Sequence, residues 1–583
     1  MRLRAFLVTV IAAATFAVGA SVAGLPRQVA AATCASLRTD APPTSTVYLP
    51  NVTKTLGAGP FALPGAAGWV TPFIIQNTGS VSTSLEVSFY AFADGSCVAR
   101  RTISALAPAT SYADVPNNDS DLPGDSQFSV VVRSFGAAIV GVVNEHNLAT
   151  REALSYDGFN SGASSIFLPN ITRRFNGFHT PFIVQNLGNR AATVQATFVS
   201  FDGSAPRVDV FRTIDAGRSA FVEPNVESGL VDGKQYSVTV TNPAVSCPTP
   251  PAGCQTTVPL AVVVNTHNDD PGAPAPIAYA TDGITAGAAT VYGPYAARNA
   301  GTDVESNAVS RVSTIVIQNV GTAPTTPSLT FTPLGGGTAQ TLTSPAAVAP
   351  GAAWAFDPRF TVGTTTPCTT PSATCLGDGE YSFIASAPGG SIAVTVNVIS
   401  PTTAMGYTGS PVAAGRVFLP NVTRTFGGAT GWTTPILLQS VTSSGATLKW
   451  YRFSDGVLIT TQTVSTPAGT GIRVDPRNVG GLSDDTQYAV VAEGTSGTIA
   501  AIVIELAALG DNAMTYEGFP DPCTVPSPSP SPAPSASPSP SPSPSPSASP
   551  SPSPSPSASA SASPSPSASS TAPPSPSPAP ACP

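Results

Sequence analysis

Two of the three histidines in this sequence stand at the same position of a repeated motif. His146 lies in Asn-Glu-His-Asn, and His267 lies in Asn-Thr-His-Asn. A histidine that binds a metal or activates a nucleophile needs further ligands or an acid in a suitable place. The sequence shows no such set of partners for either residue. We therefore expect both side chains to cap a strand end and its loop.

Signatures of common enzymes are missing from the sequence. It has no Gly-x-Ser-x-Gly elbow, no His-Glu-x-x-His, no phosphate loop and no dinucleotide fingerprint. Only 10% of its residues are charged, against about 25% in average proteins. A secreted hydrolase with its site between domains would need paired acids or a histidine-activated nucleophile, and the sequence shows no such cluster outside the repeats. A non-enzymatic protein without a resident cofactor is therefore predicted.

Calcium is the one cofactor that the sequence leaves open. The loop from Asn117 to Asp125 is rich in Asp and Asn, and Asp378 and Asp484-Asp485 occupy the same corner in other repeats. Carboxylate and amide oxygens are the ligands that calcium prefers. The loops lack the fixed spacing of a calcium-hand loop, and Asp and Asn also favour ordinary turns.

Aromatic residues recur at one position just before a repeated strand. Trp69, Phe178 and Trp432 occupy it, and the third repeat has Arg311 there. Exposed aromatic rings stack on sugars, so this position could contact a carbohydrate ligand. An aromatic side chain beside a core strand also covers that core. If the rings contact a sugar, the protein binds carbohydrate. If they cover the core, they contribute only to the stability of the fold.

Three Asn-x-Thr sequons stand at one repeated position. Their asparagines are Asn51, Asn170 and Asn421, each directly after Leu-Pro. In an exported chain these side chains are candidates for N-glycosylation. The recurrence is equally well explained if each asparagine holds a turn after Leu-Pro.

Eight cysteines in a chain with an export signal predict disulfides. Two local pairs, each with six intervening residues, are Cys247 with Cys254 and Cys368 with Cys375. We expect each to staple its loop, because a zinc site would need closer pairs and further ligands.

The other four cysteines are far apart in the sequence. Cys34 with Cys97 would tie the N-terminal extension to the first repeat. Cys523 with Cys582 would close the C-terminal segment into a loop. Cys582 could equally link two chains, which would give self-association.

These residues belong to a unit that occurs four times, about every 120 residues. The repeats open with Val47-Tyr48-Leu49-Pro50-Asn51, Ile166-Phe167-Leu168-Pro169-Asn170, the degenerate Val291-Tyr292-Gly293-Pro294, and Val417-Phe418-Leu419-Pro420-Asn421. A strand ending in Gln-Asn or Gln-Ser follows in each copy. Three copies then carry Asp-Gly between apolar runs, which is a strong hairpin signal.

A late position of each repeat carries an aromatic residue after a Leu-containing turn. These residues are Phe128, Tyr236, Tyr381 and Tyr488. This pattern resembles the tyrosine corner of immunoglobulin-like sandwiches. A wholly apolar strand and a short aromatic–Gly strand close each copy. Seven or eight short strands per repeat predict β-sandwiches; a single four-bladed propeller is the alternative, although a blade needs only about 40–50 residues.

Both ends of the chain differ from the repeats. Residues 1–31 have the charged start, apolar stretch and small-residue cleavage pattern of a signal peptide. The 58 residues from Pro526 hold 24 Ser, 22 Pro and 10 Ala, with no charge. Such a composition cannot form a core, and it predicts a disordered, extended stalk.

The predicted organisation is all-β, with four tandem immunoglobulin/fibronectin-III-like sandwiches in a row and a disordered C-terminal tail. Its segments are 1–31 signal peptide, 34–160, 161–286, 287–411 (degenerate) and 412–523 for the sandwiches, and 524–583 for the Ser/Pro-rich stalk. No membrane span is expected in the mature chain.

The Leu-Pro-Asn opening, the Thr-Pro strand and the Asp-Gly hairpin resemble repeats of secreted bacterial surface proteins, a family with no established activity. The resemblance covers about 47–519 and implies an extracellular, surface-associated protein with a structural or adhesive role. Its partner would be cell wall, polysaccharide or another surface protein. The net charge of -8 argues against nucleic acid.

Overall fold

Antiparallel β-strands form nearly all of the regular secondary structure, which confirms the predicted all-β class. The computed structural model describes residues 28–32, 34, 36–57, 68–147, 149–244, 257–268, 276–508 and 513–526. Within these ranges, no helix has the length and apolar character needed to cross a membrane. Residues 1–27 of the predicted signal peptide and 527–583 of the predicted stalk lie outside the described residues.

The first repeat forms two sheets whose side chains share one core. Its elements are β1 (Gln28–Ala32), β2 (Ser45–Lys54), β3 (Trp69–Val70), β4 (Phe73–Asn77), β5 (Thr83–Ala91), β6 (Cys97–Leu106), β7 (Ser111–Asp114), the 3-10 helix η1 (Pro116–Asn118), β8 (Ser126–Phe135), β9 (Ile139–Asn147) and β10 (Ala153–Asp157). One sheet has the order β1-β6-β5-β8-β2. The other has the order β10-β9-β4-β7, with β3 beside β9.

The second repeat follows the same plan. Its strands are β11 (Ser165–Arg173), β12 (Phe178–His179), β13 (Phe182–Asn186), β14 (Ala192–Ser200), β15 (Val208–Ile214), β16 (Ser219–Val222), β17 (Lys234–Thr241), β18 (Leu260–Asn268) and β19 (Ile277–Asp282). The sheet orders are β11-β17-β14-β15 and β12-β18-β13-β16, with β19 beside β18.

The third repeat joins its two layers into one sheet. Its strands are β20 (Thr290–Thr302), β21 (Ala308–Asn319), β22 (Ser328–Pro333), β23 (Gln340–Thr343), β24 (Ala353–Phe356), β25 (Gly379–Ser386), β26 (Ile392–Ile399) and β27 (Ala404–Thr408). The order is β23-β22-β25-β20-β21-β26-β27, with β24 beside β21. The layers join because the C-terminal end of the long strand β20 pairs with the N-terminal part of β21.

The fourth repeat returns to two sheets. Its elements are β28 (Arg416–Arg424), β29 (Ile436–Ser440), β30 (Gly445–Arg452), β31 (Leu458–Ser465), β32 (Thr470–Val474), η2 (Pro476–Asn478), β33 (Thr486–Gly494), β34 (Ile499–Leu506), β35 (Ala513–Glu517), β36 (Phe519–Pro520) and η3 (Pro522–Thr524). The sheet orders are β31-β30-β33-β28-β36 and β32-β29-β34-β35.

The Leu-Pro-Asn motif forms a β-bulge inside the opening strand, so the alternative of a turn is wrong. In β2 the register shifts between Leu49 and Val52, and β11, β20 and β28 shift at the equivalent place. Proline has no N–H to donate to the ladder, and bulges are where a strand tolerates it. The bulge turns the following asparagine towards the interior, where Asn51 is 4% exposed.

The predicted corner and hairpin motifs are confirmed. The Tyr488 hydroxyl accepts a 2.8 Å hydrogen bond from the Ser483 N–H in the preceding turn, and Tyr236 does the same with Val231. Asp94-Gly95 joins β5 to β6, with Gly95 at φ +69°. Glycine populates this left-handed region without a steric penalty.

The short aromatic–Gly strand of each repeat lies tightly against the opening strand. A Cβ added to Gly158 would lie 2.5 Å from Val47 Cγ1. The same distance separates the equivalent Gly518 from Val417 Cγ1. The aromatic residue before this glycine is held by the bulge, since the Tyr156 hydroxyl donates a 2.6 Å hydrogen bond to the Asn51 carbonyl. Tyr516 donates to Asn421 in the same way.

The four repeats close into a ring. One short late strand of each repeat, here called its central strand (β10, β19, β27 and β35), contacts two others in a cycle: β10 lies against β19 and β35, and β27 also lies against β19 and β35. Each opening strand packs on the next repeat: β2 on β13 and β18, β11 on β21 and β26, β20 on β29 and β34, and β28 on β4 and β9 of the first repeat. We call the contact between the fourth and first repeats the closing junction.

The closing junction uses the same residue positions as the junction between the first two repeats. Ser111 Oγ donates to the Pro420 carbonyl across the closing junction, at 3.2 Å. The equivalent Ser219 Oγ donates to the Pro50 carbonyl of the first repeat, at 3.4 Å. The predicted row of four sandwiches is therefore wrong, because a row would leave these surfaces of the first and fourth repeats apart. The individual domain boundaries stay a prediction.

Apolar side chains fill the junctions as well as the cores. Ile74 and Val142 of the first repeat belong to the apolar cluster of the fourth repeat, not to that of their own. Ile183 of the second repeat likewise packs in the cluster of the first, and Ile504 of the fourth in that of the third. Burial of these outward-facing apolar side chains stabilises the contacts between neighbouring repeats.

Candidate functional site

The repeated aromatic position lies at the junctions between repeats. The Trp69 ring meets the His267 ring of the second repeat edge-on, with centroids 5.4 Å apart. Across the closing junction, Trp432 meets His146 in the same way at 5.4 Å. Trp69 also packs against its own core. The two recurring motifs, aromatic and histidine, therefore form one contact, and both side chains are used for packing between repeats.

The other two copies of this position are also engaged. Phe178 packs with Tyr279 of its own repeat and with Ala404 of the third. Arg311 is 2% exposed and donates a 2.7 Å hydrogen bond from Nη1 to the Thr302 carbonyl. The structure thus does not bring Trp69, Phe178 and Trp432 together on one open face.

Burial keeps the first histidine uncharged. Loss of hydration lowers the pKa of His146 to about 4. The ring is therefore neutral at pH 7, and it packs against Trp432 without a buried charge. His267 is placed differently, because its Nδ1 lies 3.3 Å from Glu152 Oε1 of the first repeat. The sequence analysis predicted that each histidine caps a strand end. In the structure, each of them contacts a side chain of a neighbouring repeat.

Two buried glutamates connect repeats through asparagine amides. Glu145 accepts a 2.7 Å hydrogen bond from Asn51 of its own repeat and a 3.3 Å bond from Asn265 of the next. Glu505 accepts from Asn421 at 2.8 Å and, across the closing junction, from Asn144 at 2.9 Å. The sequon asparagines thus have structural partners.

Burial dominates the protonation of both glutamates. Loss of hydration raises the pKa of Glu145 and of Glu505 to about 8, although the asparagine hydrogen bonds lower it. Each carboxyl is 2% exposed. Both groups therefore carry a proton over most of the range below pH 8.

The sequence could have revealed these glutamates by comparing repeats. Glu145 faces Asn265, and Glu505 faces Asn144, through hydrogen bonds. The equivalent positions are Thr266 and Asn397 for the second and third repeats, and Val398 and Ile504 for the third and fourth. Val398 and Ile504 are both apolar and belong to one cluster. The two members of each pair are therefore either both polar or both apolar. The Glu505–Asn144 pair is visible only when the end of the chain is compared with its beginning.

Acidic side chains converge where the central strands end. Asp157, Asp282 and Glu517 occupy one repeated position, and we call them the axial cluster; Thr408 holds that position in the third repeat. Each acid offers a carboxylate oxygen, and these oxygens all lie within 4.8 Å of one another. The Asp157 N–H donates to Asp282 Oδ2 at 3.3 Å.

The axial cluster is incompletely satisfied by the protein. The Thr408 hydroxyl lies 2.5 Å from Glu517 Oε1. The Oδ1 atoms of Asp157 and Asp282 are buried and have no hydrogen-bond partner in the part of the chain that the structure describes. Burial raises the pKa of Asp157 well above its usual range, and the charges of Glu517 and Asp282 raise it further. The sequence analysis did not single out this cluster, because its members are more than 100 residues apart.

The loops considered for calcium use their acids differently. Asp119 forms an ion pair with the buried Arg101, and Asp125 Oδ1 accepts a 2.7 Å hydrogen bond from the Gly57 N–H. Asp485 Oδ1 accepts from the Gly427 N–H at 2.8 Å. Among the described residues, the axial cluster is the one place where three acids offer oxygens this close together.

Two of the predicted cysteine pairs lie within the described residues. Cys34 is bonded to Cys97 and Cys368 to Cys375, with Cα–Cα distances of 5.8 and 5.5 Å. Cys247, Cys254 and Cys582 lie outside the described residues.

The sequons are placed unfavourably for glycans. Asn51 and Asn421 are 4% and 5% exposed, and their amides bind Glu145 and Glu505. Asn170 is half-buried and accepts from Gln235 Nε2 at 3.2 Å. A glycan on Asn51 or Asn421 would have to displace a buried hydrogen bond.

Open grooves in the fourth repeat contain charged groups already paired. A groove of about 310 Å³ lies along β31 and β32 and is lined by Gln462, Arg473 and Asp475. Its Asp475 forms a 2.6 Å ion pair with Arg477. A second groove, of about 220 Å³, crosses the closing junction, and there Lys449 pairs with Glu493 at 2.8 Å.

Comparison with known proteins identifies no family for this chain. No family model matches the sequence, and no curated protein matches it. One solved structure, described as a tetra-tandem repeat in the extending region of a large adhesion protein, is 10% identical, with 78% of this chain and 95% of that chain covered and a TM-score of 0.09. The pilus backbone RrgB of Streptococcus pneumoniae is 7% identical, with 62% and 85% covered and a TM-score of 0.08. TM-scores this low carry no argument about the arrangement or the role of the repeats.

Proposed function

We propose that this protein is an exported, non-enzymatic surface protein whose four repeats form a closed head with a structural or adhesive role. The observation that carries the proposal is the closing junction. There Ser111, Asn144 and Ile74 of the first repeat contact the fourth repeat, with serine and asparagine used as at the first junction. A closed head supplies a rigid body with several outward surfaces, whereas a row of modules would supply length.

The contacts made by the buried histidine and glutamate side chains support a non-enzymatic role. His146 packs against Trp432, and Glu145 and Glu505 bind asparagines of neighbouring repeats. A general acid or base must reach a substrate. These groups instead lie inside the junctions, where their contacts hold repeats together.

Several features support an extracellular setting. The bonded pairs Cys34–Cys97 and Cys368–Cys375 are of a kind that persists in oxidising compartments. The leader sequence agrees with export, and the Ser/Pro-rich segment 524–583 has the composition of a spacer. The partner in this proposal is the cell wall, a polysaccharide or another surface protein. Self-association through Cys582 belongs to the same proposal.

No specific observation supports the alternative that the protein binds carbohydrate. It needs the faces of Trp69 and Trp432 to be open to a sugar, and each ring is instead engaged by a histidine of the neighbouring repeat. Substitution of both tryptophans by alanine separates the alternatives. We expect lower stability, while loss of polysaccharide binding with unchanged stability would favour the sugar site.

A surface role is tested on the producing cells and on the purified chain. Antibody labelling of intact cells, compared with lysed cells, shows whether the head is outside. Co-sedimentation of the mature chain with cell envelopes and insoluble polysaccharides, with and without residues 527–583, shows which part attaches. We expect labelling of intact cells and sedimentation of the full chain. A head found only after lysis, with neither form sedimenting, would contradict the proposal.

A further inference from the structure

We propose that the axial cluster binds one divalent cation, best matched by calcium, and that this cation locks the ring of four repeats. The site is formed by Asp157, Asp282 and Glu517, one from each of three repeats. Its position follows from ring closure alone, since no repeat contains more than one of the three acids. The inference does not depend on the proposed surface role.

The donor set consists of oxygen atoms. Three carboxylates supply up to six, and Thr408 places a hydroxyl oxygen in the same corner, 2.5 Å from Glu517 Oε1. Oxygen-only sites favour calcium and magnesium over zinc or copper, which prefer nitrogen and sulfur. The chemistry of the donors therefore indicates a hard divalent cation.

The second observation is the state of the aspartate oxygens. Among the described residues, nothing donates to the buried Oδ1 of Asp157 or to the buried Oδ1 of Asp282. A buried acceptor without a partner destabilises the fold, and a charged one does so more strongly. Burial raises the pKa of both aspartates, neighbouring carboxylates raise it further, and a backbone N–H lowers it; no cationic side chain contributes. A bound cation would satisfy these oxygens and offset their mutual repulsion.

The oxygens are close enough for one ion to contact all three, since they lie within 4.8 Å of one another. Calcium accepts irregular coordination, whereas magnesium demands a near-octahedral shell. A site assembled from three different repeats therefore fits calcium better than magnesium.

The competing explanation is that the cluster shares protons. Burial raises the pKa of Asp157, Asp282 and Glu517, and the charges of neighbouring carboxylates raise that of the two aspartates further. Protons and calcium would compete for the same oxygens, so calcium should matter most at high pH. Other titratable groups that interact electrostatically with these acids are Tyr156, Tyr407 and Tyr516, whose hydroxyls donate to backbone carbonyls.

The test is thermal unfolding of the full mature chain after chelation. Unfolding is followed at pH 8.0 and pH 5.5, without metal and with CaCl₂ or MgCl₂, and calcium binding is measured directly by titration calorimetry. We expect one site per chain and a rise in Tm of about 2–3 °C at pH 8.0 when calcium is 100-fold above Kd. The rise should be smaller at pH 5.5 and smaller with magnesium.

Variants separate cation binding from proton sharing. Asp157→Asn with Asp282→Asn should abolish calorimetric binding and the calcium-dependent rise in Tm, while raising Tm in the chelated state at pH 8.0. Thr408→Asp should tighten calcium binding and lower the chelated Tm. Asp484→Asn removes an acid that is 72% exposed and pairs with Arg424 at 2.7 Å; it is the matched control and should change neither calcium binding nor the calcium-dependent rise in Tm. No calorimetric binding at pH 8.0 by the folded wild-type chain would overturn the proposal, and a higher chelated Tm of the double variant would then assign the cluster to proton sharing.

Discussion

At the scale of single residues, two glutamates are buried where repeats meet, and each has an asparagine partner in the next repeat. Glu145 binds Asn265, and Glu505 binds Asn144. A buried carboxyl is tolerated in such a place only if it is hydrogen-bonded or protonated. Both conditions are met here, and the second makes the stability of the ring depend on pH.

The two glutamates should lower the stability of the ring as pH rises. Their pKa is about 8 in the folded chain and about 4.3 when unfolded. Between these values the folded state binds more protons, so the free energy of unfolding falls with pH, by up to about 1.4 kcal/mol per pH unit for each group. Above pH 8 this contribution is lost and the slope ends.

The measurement is urea unfolding at pH 5, 6, 7 and 8 for the wild type and for Glu145→Gln with Glu505→Gln. We expect a shallower decline for the variant, because glutamine does not titrate. The axial cluster contributes a slope of the same sign, so the difference between the two proteins is the quantity to compare. Equal slopes would show that the glutamates are ionised at every pH tested.

The glycine of the short closing strand should be sensitive to a single methyl group. In Gly158→Ala the new Cβ would lie 2.5 Å from Val47 Cγ1 and 2.9 Å from Leu49 Cδ2. Overpacking of this kind costs about 1–3 kcal/mol. Gly480→Ala is the control, because a Cβ there meets nothing within 4 Å. Chemical denaturation of the two variants should show the loss for Gly158 only; equal midpoints would mean that the opening strand shifts freely.

At the scale of elements, one apolar strand precedes the central strand of each repeat. These strands show why the sequence predicted the β-class correctly and the arrangement of the repeats wrongly. The strands β9, β18, β26 and β34 are buried along nearly their whole length. A strand in a sandwich with one open face should alternate, whereas continuous burial means that both faces are covered. The sequence analysis noted the apolar runs but assigned them to separate sandwiches.

The local motifs were predictable because their causes are local. Gly95 requires a left-handed turn, and Tyr488 bonds a turn five residues away. The bulge at Leu-Pro-Asn was missed because a proline signals a turn as readily as a strand irregularity. The axial cluster and the Glu–Asn pairs were missed because they depend on which repeats touch, and that is decided by matching surfaces and not by spacing along the chain.

The apolar residue pair at the junction between the third and fourth repeats should be replaceable by a Glu–Asn pair like those at other junctions. Val398 and Ile504 stand where two of the other junctions have Glu and Asn and the remaining one has Thr and Asn. Val398→Glu alone should destabilise the chain, because it buries an acid without its partner. Adding Ile504→Asn should restore part of the loss, with a coupling of about 0.5–3 kcal/mol in a double-mutant cycle. Additive losses, measured by urea unfolding, would contradict the assignment of this pair.

At the scale of the whole ring, closure rests on one junction that has no covalent linker across it. Ile74 is 4% exposed, yet it packs in the cluster of the fourth repeat. Ile74→Arg should therefore open the closing junction while the core of the first repeat stays intact, because that core lies on the other face of β4. Val81→Arg, at a position 54% exposed, is the matched control.

Small-angle scattering of the chain without residues 527–583 measures the result. Compact packing of the roughly 490 residues gives a radius of gyration of about 23 Å, and a row of four sandwiches would give about twice that value. We expect the wild type and Val81→Arg near the first value and Ile74→Arg clearly above it, with circular dichroism unchanged. An extended wild type would refute the ring and with it the axial cluster, since Asp157, Asp282 and Glu517 meet only when the fourth repeat returns to the first.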